Sequence, residues 1–110
     1  MSGVSKEGEK GHIQGFILHK LYIGGYWGKG HTNVRNIPKG YPNEYRGGFS
    51  EQIRELKRIG LVRVFPHGGE EHICAVFDPD KIKVGLKLVN DYRTAVGLPP
   101  LDTRFREILD

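Results

Sequence analysis

Cysteine is almost missing from this 110-residue chain. Cys74 stands alone, so no intrachain disulfide can form and nothing points to an oxidising compartment. Methionine and tryptophan are equally scarce, one of each. Long hydrophobic runs are missing too, none approaching the roughly 18 residues of a membrane span. The opening Met1–Gly11 is polar, unlike a secretory signal. A cytoplasmic protein with no membrane partner is expected.

Signatures of nucleotide chemistry are lacking as well. Gly24–His31 is rich in glycine, yet Gly28-Lys29 is followed by Gly30, where a Walker loop requires Ser or Thr. The opening glycine of that loop would fall on Ile23. A dinucleotide-binding pattern begun at Gly28 and Gly30 would need glycine at Asn33. The stretch reads instead as a tight connection that folds Tyr26 or Trp27 onto the core.

Catalytic and metal constellations are equally thin. Cys74 lies between apolar Ile73 and Ala75 and reads as a small strand residue, with no orienting third group or oxyanion site nearby. Asp78 and Asp80 flank Pro79 and suit a strand stop and a helix cap. His67, His72 and Cys74 are close in sequence, but His67 must reach across a hairpin and a fourth zinc ligand is not evident. No enzyme, cofactor or metal is expected.

The chain does carry a basic excess: formal charge +4 with a pI near 9.3. Residues 19–63 hold nine Lys/Arg against three Glu, whereas residues 70–110 hold six against eight acids. Positive charge therefore belongs to the first half, as a polyanion partner would require. With 37% apolar residues, the chain can fill one small core.

Apolar spacing outlines the elements. After a disordered lead-in, residues 1–11, Ile13, Phe16, Ile17 and Leu21 form one stripe of a helix over His12–Ile23. Leu18, Tyr22 and Ile23 widen that stripe, so its neighbours should cover most of the helix. Thr32–Ile37 suits a short helix capped by Thr32, stopped by Pro38 and Pro42. Tyr45, Phe49, Ile53 and Leu56 give the buried face of a helix over Tyr45–Ile59. Gly47–Gly48 favours a true start near Ser50. Gly60–Leu61 ends this helix.

Two strands, Val62–Pro66 and His72–Val76, follow, joined through His67-Gly-Gly-Glu-Glu71. A last helix, Lys81–Val96, has two stripes. Ile82, Leu86, Val89 and Val96 can face the domain. Val84, Leu88, Tyr92 and Ala95 need another surface, either a homodimer partner or the folded-back tail. Gly97-Leu98-Pro99-Pro100 ends it, and Leu101, Phe105, Ile108 and Leu109 can dock. The divisions are a winged domain over 12–78, the final helix within 79–97 and a tail over 98–110.

Helix, short helix, turn, helix, Gly-Leu, hairpin, helix: this α+β order resembles the winged helix-turn-helix superfamily. The densest likeness is Ile53-Arg-Glu-Leu-Lys-Arg-Ile-Gly-Leu-Val62, similar to a recognition helix entering its wing. The resemblance implies a two-stranded wing, a recognition helix in the major groove and a dimeric, DNA-binding transcriptional regulator. It places Arg46, Ser50, Arg54, Lys57 and Arg58 towards the duplex, with Lys29, Arg35 and Lys39 on phosphates.

Two alternatives stay open. Gly47-Gly48 and Leu98-Pro99-Pro100 are similar to segments of winged-helix proteins of the small ribosomal subunit. That likeness implies structured RNA, on which Tyr26 and Trp27 could stack. Glu70 and Glu71 at the wing would repel phosphate, which fits a protein-interaction domain without a nucleic-acid role.

Overall fold

The computed structural model describes residues 6–41 and 48–102. Among these are three α-helices, α1 (Lys6–Ile23), α2 (Phe49–Arg58) and α3 (Pro79–Ala95). Three strands, β1 (Thr32–Asn33), β2 (Val62–His67) and β3 (Glu70–Ala75), form one antiparallel sheet in the order β1-β3-β2. The fold is α+β. Tyr45, Arg46, Phe105, Ile108 and Leu109 fall outside the described residues.

α1 is the central element. Ile17, Leu18, Leu21 and Tyr22 are fully buried and Ile13 and Phe16 nearly so, because α3 lies along one side and α2 and the sheet on the other. This is the broad coverage that its widened apolar stripe requires. The helix starts at Lys6 rather than His12. Lys and Glu are good helix formers, and a polar first turn needs no apolar residue once the rest is anchored. Gly25 ends it at φ +76°, with the Tyr26 amide donating to the Leu21 carbonyl at 2.9 Å. That is a left-handed cap suited to glycine.

The expected helix over Thr32–Ile37 is not formed as such. Thr32 and Asn33 pair with Ile73 and His72 as β1, and only Val34–Asn36 turn, as a 3₁₀ segment. The cap is Asn33, whose side chain accepts the Arg35 amide at 3.0 Å. Lys20 fastens the next turn to α1, its Nζ donating to the carbonyls of Asn36, Ile37 and Lys39 at 3.2, 3.2 and 2.6 Å.

α2 begins at Phe49, close to the Ser50 start that the glycine pair favours. Phe49, Gln52, Ile53 and Leu56 are its buried residues. Leu56, fully buried, contributes about 1.5–3 kcal/mol by leaving water. Gln14 of α1 donates to Gln52 at 2.8 Å, so the polar pair buried between these helices is satisfied. Gly60 at φ +83° and the Leu61 amide bonded to the Leu56 carbonyl at 2.9 Å turn the chain into β2.

The hairpin is tighter than expected. His67 pairs directly with Glu70, leaving Gly68 and Gly69 as a two-residue turn at φ +62° and +84°. Both central residues of a type I′ turn need positive φ, which glycine supplies without strain. The glutamates therefore belong to β3, not to the tip.

α3 packs along α1. Gly15 lies against the Leu88 carbonyl and Tyr92 Cβ, and the Tyr92 ring contacts His12, Phe16 and His19 at centroid distances of 5.0, 5.6 and 5.2 Å. After α3 the chain folds back: Arg93 Nε donates to the Pro99 carbonyl at 2.6 Å, and Asn90 bonds both backbone groups of Leu101.

His19 lies half-buried in this helix pair, with Arg93 Nη1 3.3 Å from its Nδ1. Burial first, then the charges of Arg93 and Lys20, lower its pKa below the usual 6.5. A lowered folded-state pKa means the unfolded chain binds more protons, so stability rises with pH across that interval. The stabilising effect of neutral His19 is complete above about pH 6.5 and is lost as pH falls through the lower folded value. Denaturant titrations from pH 5 to 7.5 should show a shallower dependence in His19→Gln. An unchanged slope would rule this coupling out.

Candidate nucleic-acid interface

Burial of Phe49, Gln52, Ile53 and Leu56 leaves the other side of α2 open. Ser50, Arg54 and Lys57 are exposed there, at positions i, i+4 and i+7, which share a helix face. They line a groove of about 310 Å³ with Val34, Val64 and Glu71. A second opening of about 360 Å³ continues past Ser50 to Arg35 and Pro38. The structure thus brings Arg35, Ser50, Arg54 and Lys57 to one concave surface between α2, the 3₁₀ turn and the hairpin.

The remaining basic residues are placed differently. Arg58, at the end of α2, is exposed and paired with Glu55, its Nε 3.0 Å from the carboxylate. This contact holds Glu55 below the usual carboxylate range. Lys39 lines a separate cleft of about 510 Å³ with His19, Lys20, Tyr26 and Asn36. Lys29 is exposed on the loop between α1 and β1. Arg46 falls outside the described residues.

The two glutamates near the hairpin turn have separate surroundings. Arg35 and Asn33 both bind the Glu70 carboxylate, so an acid and a base of the same surface offset each other. Glu71 lines the groove with Arg54 and Lys57 and is exposed.

The aromatic pair is used internally. Trp27 is half-buried with its ring tilted against Phe77 at 4.9 Å, and it bridges to Ala75. Tyr26 packs on the core edge, and its carbonyl accepts the Ala75 amide at 2.8 Å. On α3, Leu88 and Tyr92 pack on the core, whereas Val84 is 50% exposed and Ala95 is exposed. Leu88 and Tyr92 of the second stripe thus have α1 as a partner within the chain, and Val84 and Ala95 are the part of that stripe left open.

A feature missing from the sequence reading lies on the opposite side of the sheet. Asn33, His72 and Phe65 face one another across the three strands. Strand alternation puts His31 and His67 on their face, while Thr32, Ile73 and Val64 turn to the core. His31 Nδ1 and His72 Nδ1 are 2.8 Å apart. Crowding lowers the His72 pKa, through burial and then the charges of His67 and His31, with Glu70 opposing. The sequence alone set His67 and His72 beside Cys74, and the member it did not reach is His31, immediately before Thr32. Its value depends on the β1–β3 pairing, which no local pattern announces.

Among the described residues, no helix is long and apolar enough to cross a membrane. Compared with known proteins, the chain matches no protein-family model, no curated protein and no solved structure.

Proposed function

We propose that this chain is a winged-helix nucleic-acid-binding protein that grips double-stranded DNA, in a regulatory role, with the open face of α2. The observation carrying this reading is the Ser50–Arg54–Lys57 row along one groove, with Arg35 in the adjoining opening past Ser50. A helix of ten residues is about 15 Å long and fits a major groove about 12 Å wide. Its inner side is fixed to the core, so its cations are presented on a rigid support. Arginine at such a face can grip guanine through two hydrogen bonds, whereas lysine mainly engages phosphate.

The order α1, 3₁₀ turn, α2, hairpin supports the winged-helix comparison, with β1 as an additional strand beside the hairpin. Removal of the glutamates from the turn itself eases the electrostatic objection to a wing near phosphate. Glu70 is paired, and only Glu71 opposes the cations of the groove.

Mobility-shift titrations of a duplex library at 50–300 mM salt test the reading. Two unpaired groove cations, Arg54 and Lys57, predict a decline of log K with log salt of slope near −2, at about −0.9 per neutralised phosphate. Arg54→Ala combined with Lys57→Ala should bring the slope close to zero. Absence of duplex binding at the lowest salt, or a variant indistinguishable from the parent, defeats the proposal.

A further inference from the structure

We propose that His31, His67 and His72 form an acid-sensitive latch, which fastens β1 to the sheet when neutral and releases it when protonated. Each ring comes from a different strand region: His31 directly precedes β1, His67 closes β2, and His72 lies on β3. Ring centroids are 4.6 Å apart for His31–His67, 4.8 Å for His31–His72 and 4.8 Å for His67–His72. His31 Nδ1 and His72 Nδ1 share a hydrogen bond of 2.8 Å. One of these nitrogens must donate and the other accept, so at least one of the two rings has to be neutral. That bond ties the start of the edge strand to the central strand.

β1 is short enough for such a tie to matter. It has two residues, Thr32 and Asn33, paired with Ile73 and His72. It pairs on one side only, because the strand order is β1-β3-β2. The turn that follows is held whatever the imidazole charge, since Lys20 donates to the carbonyls of Asn36, Ile37 and Lys39. The acid-sensitive part is therefore confined to residues 31–33.

Protonation acts directly on this set. Histidine is the side chain whose ordinary titration falls between pH 5 and 8. Two unit charges about 5 Å apart disfavour each other roughly fourfold even through water, and His31 belongs to two of the three pairs. Burial, and then the charges of His67 and His31, lower the His72 pKa below the usual 6.5. The stabilising effect of neutral His72 is thus complete above about pH 6.5 and is lost as pH falls through the lower folded value.

The other charged groups leave the effect standing. β1 itself carries no titratable side chain. Glu70 of β3 faces the rings and opposes the shift, but Arg35 and Asn33 already bind its carboxylate. Arg63, on the same face of β2, stands over the Phe65 ring at 5.7 Å and adds positive charge. Lys29, exposed two residues before His31, has the same sign. The latch does not rest on duplex binding, because its readout is the sheet itself.

Amide hydrogen exchange of the full chain at pH 7.5 and 5.0, corrected for the intrinsic rate at each pH, tests it. Protection of the amides joining β1 to β3 should fall at least about tenfold at pH 5.0, relative to amides of α1 and α3. His31→Gln removes both repulsive pairs and should abolish this relative loss, while His67→Gln removes one and should reduce it to roughly fourfold. His12→Gln on α1 should retain it in full. Far-UV circular dichroism confirms that each variant is folded. No relative loss of protection at pH 5.0, or the same loss in folded His31→Gln and His67→Gln proteins, overturns the latch.

Discussion

Gly15→Ala should destabilise the protein by about 2 kcal/mol, although alanine is the better helix former by about 1 kcal/mol. A Cβ at Gly15 would sit 2.5 Å from the Leu88 carbonyl oxygen and 2.6 Å from Tyr92 Cβ. Neither is the free end of a flexible side chain, so α3 must move away as a body. That movement loosens Tyr92 from Phe16 and His12 and removes dispersion contacts along the helix pair. A Tm lower by roughly 10 °C is expected for a domain of this size. Gly11→Ala supplies the internal contrast. Nothing lies within 4 Å of its new Cβ, so propensity alone acts and stability should rise by about 0.4–1 kcal/mol. Calorimetric unfolding of both variants decides the matter; a Gly15→Ala protein as stable as the parent would mean that α1 and α3 do not meet at this point.

Gly15 also explains where the sequence reading fell short. The second stripe on α3 was legible from Leu88 and Tyr92, but its partner was not. A glycine inside α1 reads as a helix weakness, whereas its consequence is a close approach that lets α1 cover both residues. Strong local signals fared better: the 4 and 3 spacing of Phe49, Ile53 and Leu56 on α2 and its exit at Gly60–Leu61 were both readable, because periodicity and positive-φ glycine act within one turn. β1 was not readable. Two residues carry no alternation, and Thr32 and Asn33 cap a helix as readily as they pair with β3.

The hairpin lay between these cases. Gly68-Gly69 is itself a two-residue turn signal, but five polar residues suggested a longer loop with Glu70 and Glu71 at its end. Register resolves the pair. Opposite faces of β3 receive the two glutamates, one towards Arg35 and the other into the groove. The basic face of the candidate interface was thus partly legible from helical periodicity. Arg35 was named from the winged-helix resemblance and not from periodicity, its position beside the groove depends on tertiary placement, and the histidine face needed three strands to assemble.

Charge reversal on the groove gives the largest functional effect expected. At 0.1 M salt, each phosphate neutralised with a slope near −0.9 is worth close to tenfold in affinity. Losing Arg54 and Lys57 therefore predicts about a hundredfold, and Arg54→Glu with Lys57→Glu should exceed that by adding repulsion. Both side chains are exposed on α2, so the fold should survive and circular dichroism should be unchanged. Glu71→Gln should act in the opposite direction, tightening duplex binding roughly three- to tenfold by removing the carboxylate beside those cations. Arg58→Ala is the control for general charge, because Arg58 already pairs with Glu55 and contributes less free positive potential. Fluorescence anisotropy with one labelled duplex can rank all four proteins. The order Glu71→Gln, parent, Arg58→Ala, double reversal supports a phosphate-facing groove, whereas equal affinities would place any duplex contact elsewhere on the molecule.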